Sequence, residues 1–527
     1  MKLKNLPVSI SDFKNVINDN YLYVDKTEHI YNLFKKPIQY YFLSRPRRFG
    51  KSLLVSTLKE LFSGNKELFK NLWIYNSDWD WQEYPVIHID FSQIPHLNYQ
   101  ELRNGINNVL LEIAQSYDID FVKYDTPEEN FRILVKTLSK INQVVILIDE
   151  YDKPIIDHIS NVLEAKKQRD ILKSFYGIIK GLGEHLRAVF LTGVTKFSQT
   201  SVFSGLNNLD DITLDPKACT LLGYTNEELN QYFVPYMEIF AKKYNKSVDN
   251  ILAQFKDWYN GYRFSRDNIK VYNPFSVLYA LDKQYLENYW ITSGQPEFLI
   301  NVLKQKAIDM KLIENPRIYG NNIGTFNLDN INVIFLLFQT GYLTIINHDQ
   351  ELNYYDLDFP NFEVRQAFTN YLIYVMSAYE SNDQSNRLND LKVAINQDNL
   401  DNFFQILENI LADIPYTLSG KKMQEKDYHM LLQLIFSILS VKASSEVLTN
   451  TGRIDLVIET KNCIYIVELK FNKSAQIALD QIKSKKYYNK FLDKNKKIVL
   501  VGANFDNLPD RTELAFVYEE LNYYKDK

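Results

Sequence analysis

Gly50, Lys51 and Ser52 sit between an apolar run, Tyr40-Tyr-Phe-Leu43, and an amphipathic stretch, Leu53–Phe62. Strand, loop, Gly-Lys-Ser and helix, in that order, are what a phosphate-binding loop requires. A glycine at 50 lets backbone approach phosphate oxygens, and the amides of the turn and helix start point at the anion. Lys51 would reach the two outer phosphates of a nucleoside triphosphate, and Ser52 would ligate Mg²⁺. The general motif begins with a glycine where this chain has Arg45, and the loop reads Arg45-Pro46-Arg47-Arg48-Phe49. Taken alone, Gly-Lys-Ser fits an ordinary strand-to-helix turn equally well, and the three arginines suit either a phosphate or a solvated turn. If the loop holds a nucleotide, its contacts run from Arg45 to Leu53.

A second acidic element decides between these readings. Val144-Val-Ile-Leu-Ile-Asp-Glu150 is a strand too apolar to lie exposed, and it ends in two carboxylates. Its exit puts Asp149 at the carboxyl edge of a parallel sheet, where ligands of open α/β sheets bind. Asp149 is expected in the Mg²⁺ shell and Glu150 as the general base toward the attacking water. A third run, Ala188-Val-Phe-Leu-Thr192, ends in a hydroxyl that either senses the γ-phosphate or simply closes a strand. Asp90, ending the run Val86–Asp90, is a weaker candidate.

Near the C-terminus a different constellation appears. Ile454-Asp455-Leu-Val-Ile-Glu459 and Cys463-Ile-Tyr-Ile-Val-Glu468-Leu-Lys470 flank Lys461-Asn462, a pair suited to a two-residue turn. A hairpin centred there sets Asp455 across from Glu468, with side chains on one face, and puts Lys470 on that face two residues on. Two carboxylates that close call for a proton or a cation between them. A Mg²⁺ held there would polarise a phosphodiester, and Lys470 would orient water and stabilise developing negative charge. Glu446 is a further candidate ligand, and Gln481 a further contact from the helix Ser474–Tyr487. The competing reading is a solvated hairpin face. The following lysines, interleaved with tyrosines between Gln481 and Lys497, fit either a phosphate backbone or a solvated helix.

The elements that must position these residues follow from pattern. Between Gln39 and about Asp215, short apolar runs (Tyr40–Leu43, Val86–Phe91, Val144–Ile148, Ala188–Thr192) alternate with helical stretches (Leu53–Phe62, Glu101–Ser116, Asn130–Lys140, Asp170–Gly181), which implies crossover units and a mostly parallel sheet. From Pro216 the pattern is mainly helical and aromatic, with helices expected at Leu229–Lys243, Val248–Trp258, Pro274–Leu281 and Phe403–Leu411. From about Glu425 it reads as a helix (Tyr428–Leu439), a hairpin, a helix and a last strand, Lys497–Gly502. The expected fold class is α/β: a P-loop parallel sheet with helices in 1–215, a mainly helical lid or connector in 216–424, and an α/β restriction-endonuclease-like domain in 425–527.

Bulk properties bound the partners. The chain has 527 residues, 46% hydrophobic and 24% charged, enough apolar mass for several cores. A net charge of −5 offers no global attraction to nucleic acid, so any such contact must be local. Two distant cysteines, Cys219 and Cys463, exclude a disulfide framework and fit a reducing cytoplasm. The apolar stretch Val333–Ile346 is too short and too interrupted to span a bilayer, and no membrane partner is expected.

The quoted segments carry a resemblance. Tyr23-Val-Asp-Lys26, Arg45-Pro-Arg-Arg-Phe-Gly-Lys-Ser52, Ile148-Asp-Glu-Tyr-Asp152 and Phe190-Leu-Thr-Gly193 resemble the prokaryotic AAA-ATPase-like proteins, in which a non-glycine at the position of Arg45 is usual. Trp258-Tyr-Asn-Gly-Tyr-Arg263, Val271-Tyr-Asn-Pro-Phe275 and Asn288-Tyr-Trp290 extend that likeness. Asp455, Glu468 and Lys470 resemble the metal-binding pair and lysine of the PD-(D/E)xK nuclease superfamily. The resemblance implies ATP and Mg²⁺ as cofactors, a nucleic acid partner (DNA first) at the C-terminal domain, and an assembly with copies of itself as one option. The order of the domains suggests an ATP-regulated nuclease, in which nucleotide orders the arginine loop and Tyr151–Pro154. The alternative is an ATP-driven switch whose nuclease-like domain only binds.

Overall fold

The computed structural model describes residues 3–36, 39–119, 124–196, 202–203, 206, 208–292, 316–320, 332–376, 381–412, 417–418, 421–422, 431–432, 435–436, 439, 442–449, 452–460, 462–494, 496–507 and 512–521. By compactness the chain divides into two units. One comprises Met1–Val302 with Asn315–Val364, and the other Leu303–Glu314 with Arg365–Lys527.

The first unit is built on five strands: β1 (Gln39–Ser44), β2 (Val86–Asp90), β3 (Val144–Asp149), β4 (Leu186–Gly193) and β5 (Asp210–Asp211). They lie in the order β2-β3-β4-β1-β5, and every pairing is parallel. Parallel strands are covered on both faces, so they read as unbroken apolar runs. All six residues of β3 and all eight of β4 are buried. Helix α1 (Lys51–Phe62) packs on this sheet through Leu54, Val55, Leu58, Leu61 and Phe62, one stripe of its surface. The expected strands and helices of this region are present, each within a few residues of the pattern except the last helix, which runs Val162–Gly177.

Beyond β5 the helices Val234–Tyr244, Val248–Tyr259 and Pro274–Lys283 form a second core around Phe233, Phe240, Phe255 and Tyr259. The middle also contains small antiparallel ladders the helical reading does not anticipate. Tyr262–Arg263 pairs with Lys270–Val271, and Arg317–Tyr319, Tyr354–Asp358 and Thr344–Asp349 form a three-stranded sheet. The apolar stretch from Val333 breaks at Gly341 (φ 90°), a helix C-cap, so it is half helix and half strand. No helix among the described residues is long and apolar enough to cross a membrane.

The second unit holds a mixed sheet of β6 (Lys442–Thr449), β7 (Gly452–Glu459), β8 (Cys463–Phe471), β9 (Lys497–Asn507) and β10 (Thr512–Glu520), in that order. Only β8 and β9 are parallel, and helix α2 (Ala475–Lys485) makes the crossover between them. The edge strand β10 was not anticipated, and the expected helix Tyr428–Leu439 lies largely outside the described residues.

Candidate active sites

In the phosphate loop, Gly50 sits at φ 90°, in the left-handed region that glycine enters without cost. The Lys51 ammonium is buried, 3.3 Å from the Pro46 carbonyl and 3.7 Å from Glu150 Oε1. Ser52 hydrogen-bonds Asp149. Burial, and then the neighbouring charge of Glu150, push the Asp149 carboxyl up to about 6, against the opposing pull of Ser52 and Lys51. Asp90 is the register partner of Asp149 and adds to the repulsion, although its own oxygens accept from Ser92 N and Gln93 Nε2. Glu150 holds φ 52°, an uncommon conformation that turns the chain sharply at the sheet edge.

The next residues fasten that turn. Asp152 is buried and accepts from the Val194 and Thr195 amides and from the Thr195 hydroxyl. The Tyr151 hydroxyl donates to the Thr195 carbonyl. A Cβ on Gly193 would lie 2.3 Å from Asp152 Oδ1, so only glycine admits this approach. The Tyr151–Pro154 segment is thus fastened by hydrogen bonds of its own.

Four expected nucleotide contacts need correction, one of them Pro46, which does not line the cavity that holds Lys51 and Ser52. Arg45 is 1% exposed, and its guanidinium donates to the carbonyls of Ser44, Thr213 and Ala218 at 2.8–2.9 Å while resting on Phe264. It braces the loop from beneath and is not offered to a phosphate. Phe49 is buried against Tyr262 and Phe264. The Thr192 hydroxyl donates to the Leu43 carbonyl of the adjacent strand, so the plain strand-end reading fits it. Arg47, Arg48, Gly50, Lys51, Ser52, Leu53 and Glu150 instead line one cavity of about 350 Å³. Pro7, Ile10, Tyr224, Phe275 and Leu278 complete its wall with apolar surface suited to a base. These five come from distant parts of the chain, and only Phe275 lies in one of the family-like segments, Val271–Phe275.

In the second unit, the turn after Glu459 closes through Thr460 N donating to the Cys463 carbonyl. The β7–β8 ladder pairs Leu456 with Val467 and Glu459 with Ile464, and one further step sets Asp455 across from Glu468. On the other side, β6 pairs Ser445 with Leu456 and Val447 with Ile454, so Glu446 falls at the register position opposite Asp455. The Glu446 side chain lies outside the described residues. Glu468 is 2% exposed. Its Oε1 accepts from Lys470 Nζ at 2.9 Å and from Gln481 Nε2, and its Oε2 is buried with no side-chain donor among the described residues. Asp455 Oδ2 accepts from the Leu469 amide at 2.8 Å. Burial, followed by the Asp455 charge, pushes Glu468 up to about 7. A buried carboxylate facing a second carboxylate fits a divalent cation better than a solvated hairpin face.

Close packing sets Gln481. A Cβ on Gly502 would lie 2.1 Å from the Ala475 carbonyl, so glycine lets α2 lie directly on β9 and bring Gln481 to Glu468. The lysines around this helix are largely engaged. Lys483 pairs with Glu519, Lys494 and Lys496 with Glu459, and Lys497 with Glu520. For these four the solvated-face reading fits better.

Comparison with known proteins agrees with both halves. Residues 7–203 match the family model described as predicted AAA-ATPase, and residues 423–510 match that of the PD-(D/E)XK nuclease superfamily. The chain is 33% identical over 534 residues to the "Uncharacterized protein in vnfD 5'region" of Azotobacter chroococcum mcd 1, covering 99% of this chain and all of that protein. With both family models matched in order and a relative aligned end to end, the chain belongs to the AAA-ATPase-like proteins that carry a C-terminal PD-(D/E)XK nuclease superfamily domain.

Proposed function

We propose that the chain hydrolyses ATP at the phosphate loop and cleaves nucleic acid phosphodiesters, DNA first, at the Asp455–Glu468–Lys470 site, with ATP regulating cleavage. The observation that supports the nuclease reading is the buried Glu468 carboxyl, held by Lys470 and Gln481 beside a second carboxylate, Asp455. A Mg²⁺ held by Asp455 and Glu468, with Glu446 in register, supplies Lewis acidity and charge neutralisation. Lys470 then orients the attacking water and offsets charge building on the phosphate. Gln481 fixes the Glu468 carboxylate and leaves one oxygen for the metal.

At the other site Lys51 neutralises the outer phosphates of ATP. Ser52 and Asp149 hold its Mg²⁺, and Glu150 draws a proton from the attacking water. Support comes from the convergence of these four side chains on one sheet edge.

The test is cleavage of plasmid and single-stranded DNA with Mg²⁺, with and without ATP, by wild type, Lys51→Ala and the double variant Asp455→Ala, Glu468→Ala. The reading requires cleavage that the double variant loses and whose ATP dependence Lys51→Ala removes. No cleavage by wild type under any metal or nucleotide would leave the switch reading, in which this domain only binds.

A further inference from the structure

A second cavity, of about 470 Å³, borders the phosphate loop through Ser44, Arg45 and Pro46 and shares no lining residue with the nucleotide cavity. Its size is that of small-molecule sites. Charges on its wall are unequal. Asp211 is paired with Lys196, and Asp215 caps the Lys217 amide. Against these stand Arg45, Arg263 and Arg266, none of which forms an ion pair among the described residues. Arg45 and Arg263 are buried and capped only by backbone carbonyls. Burial lowers the Arg45 guanidinium to about 9, against the opposing pull of Asp211.

Three buried polar atoms of wall residues lack hydrogen-bond partners among the described residues, Arg45 Nε, the Tyr262 hydroxyl and Gln339 Oε1. Arg266 is exposed. Its Nε donates to the Tyr355 hydroxyl, and its two terminal nitrogens make no hydrogen bond among the described residues. Phe264, Phe335 and Tyr355 supply flat apolar surface. Excess positive charge, aromatic wall and one arginine with a free fork suit a phosphate attached to a planar ring.

We propose that this cavity is a second ligand site, for a ring-bearing phosphate of nucleotide size, separate from the phosphate-loop site. Arg266 takes the phosphate and the aromatic wall takes the ring. Pro46 links the two sites, because it lines this cavity and its carbonyl accepts from Lys51. Occupancy here therefore bears on the loop that holds ATP.

The experiment is equilibrium dialysis of the full chain, its phosphate-loop site saturated with ATPγS, against radiolabelled AMP, GMP, CMP and UMP. At least one should bind saturably at one equivalent. Arg266→Ala should weaken it about tenfold, the worth of one charge-assisted hydrogen bond. Leu214→Trp, which fills the cavity from its wall, should abolish it with ATPγS affinity and melting temperature unchanged. Lys51→Ala without ATPγS should still bind the same ligand. The proposal is overturned if none of the four binds to ATPγS-loaded protein, if added ATPγS displaces the ligand, or if binding survives both cavity variants in folded protein.

Discussion

Lys51 Nζ and Glu150 Oε1 lie 3.7 Å apart, so the phosphate lysine and the proposed base are each other's partner across the mouth of the nucleotide cavity. On the proposed reading, ATP phosphates would draw Lys51 away and leave Glu150 facing the γ-phosphate with its charge unpaired. The two residues are thus separable by experiment.

Lys51→Ala should weaken ATP binding and abolish turnover together. Glu150→Gln keeps shape and hydrogen-bonding reach but cannot accept a proton. It should bind ATP at least as tightly as wild type and turn it over about 10²–10⁴-fold more slowly, the range of general base catalysis. Fluorescent ATP titration alongside steady-state phosphate release distinguishes them. Normal turnover in Glu150→Gln would remove Glu150 from the chemistry.

Glu468 provides a pH signature. Its carboxyl sits at about 7 because it is buried beside Asp455. Below that pH it carries a proton, and a cation must displace it. Mg²⁺ affinity, and cleavage at limiting Mg²⁺, should rise with pH up to about 7 and level off above it. Saturating Mg²⁺ should move the rising limb to lower pH, because the cation competes with the proton. Calorimetry of Mg²⁺ binding between pH 5.5 and 8.5 reads this directly. Glu468→Gln should flatten the profile, and a pH-independent wild type would refute the assignment.

Much of this was legible in sequence because it is local. Strand β3 had to be buried to be so apolar, and its last residue had to fall at the sheet edge. A two-residue turn expected from Lys461-Asn462 predicts the register observed in the ladder, which brings Asp455 opposite Glu468. What stayed hidden depends on contacts between distant segments. Arginine 45 looks like a phosphate ligand until Thr213 and Ala218, some 170 positions away, supply the carbonyls that bind it. Thr192 points into the ladder because Leu43 lies beside it in a strand order that spacing does not reveal. Pro7, Tyr224 and Leu278 meet in one wall only after the helices beyond β5 pack.

Gly502 tests whether close packing positions Gln481. Gly502→Ala drives a methyl group into the backbone of α2 at Ala475 and Leu479. The helix must lift, costing about 1–3 kcal/mol of stability as for other overpacked sites. Gln481 should retreat from Glu468 with it. The expected result is a lower melting temperature and cleavage reduced more than in Gln481→Ala, with ATP hydrolysis unaffected. Unchanged cleavage in a destabilised Gly502→Ala protein would show that the Gln481 contact is dispensable.

The phosphate loop is also held from outside the sheet. The Trp290 indole N–H donates to the Arg47 carbonyl at 3.0 Å, and Gly341 abuts Pro46 so closely that a Cβ would lie 2.6 Å from its ring. Trp290 is anchored in turn, because Glu363 Oε1 accepts from its backbone amide at 2.8 Å and the Ser276 hydroxyl donates to the same carboxyl. Trp290→Phe keeps the bulk and removes one donor. It should raise KM for ATP severalfold and leave kcat nearly unchanged, since the loop's shape and not its chemistry is altered. Complete burial pushes Glu363 up to about 8, well above its unfolded value. The folded state therefore retains a proton between about pH 4.5 and 8 that the unfolded state releases. The associated stability is fully present near pH 4.5 and is lost as pH rises through about 8. Glu363→Gln stays neutral throughout and should not share that loss. Melting temperatures of wild type and Glu363→Gln across pH 5–8.5 should diverge toward the alkaline end, with the variant higher there. Parallel curves would mean that Glu363 is ionised in the folded protein and that the latch on Trp290 is an ionic one.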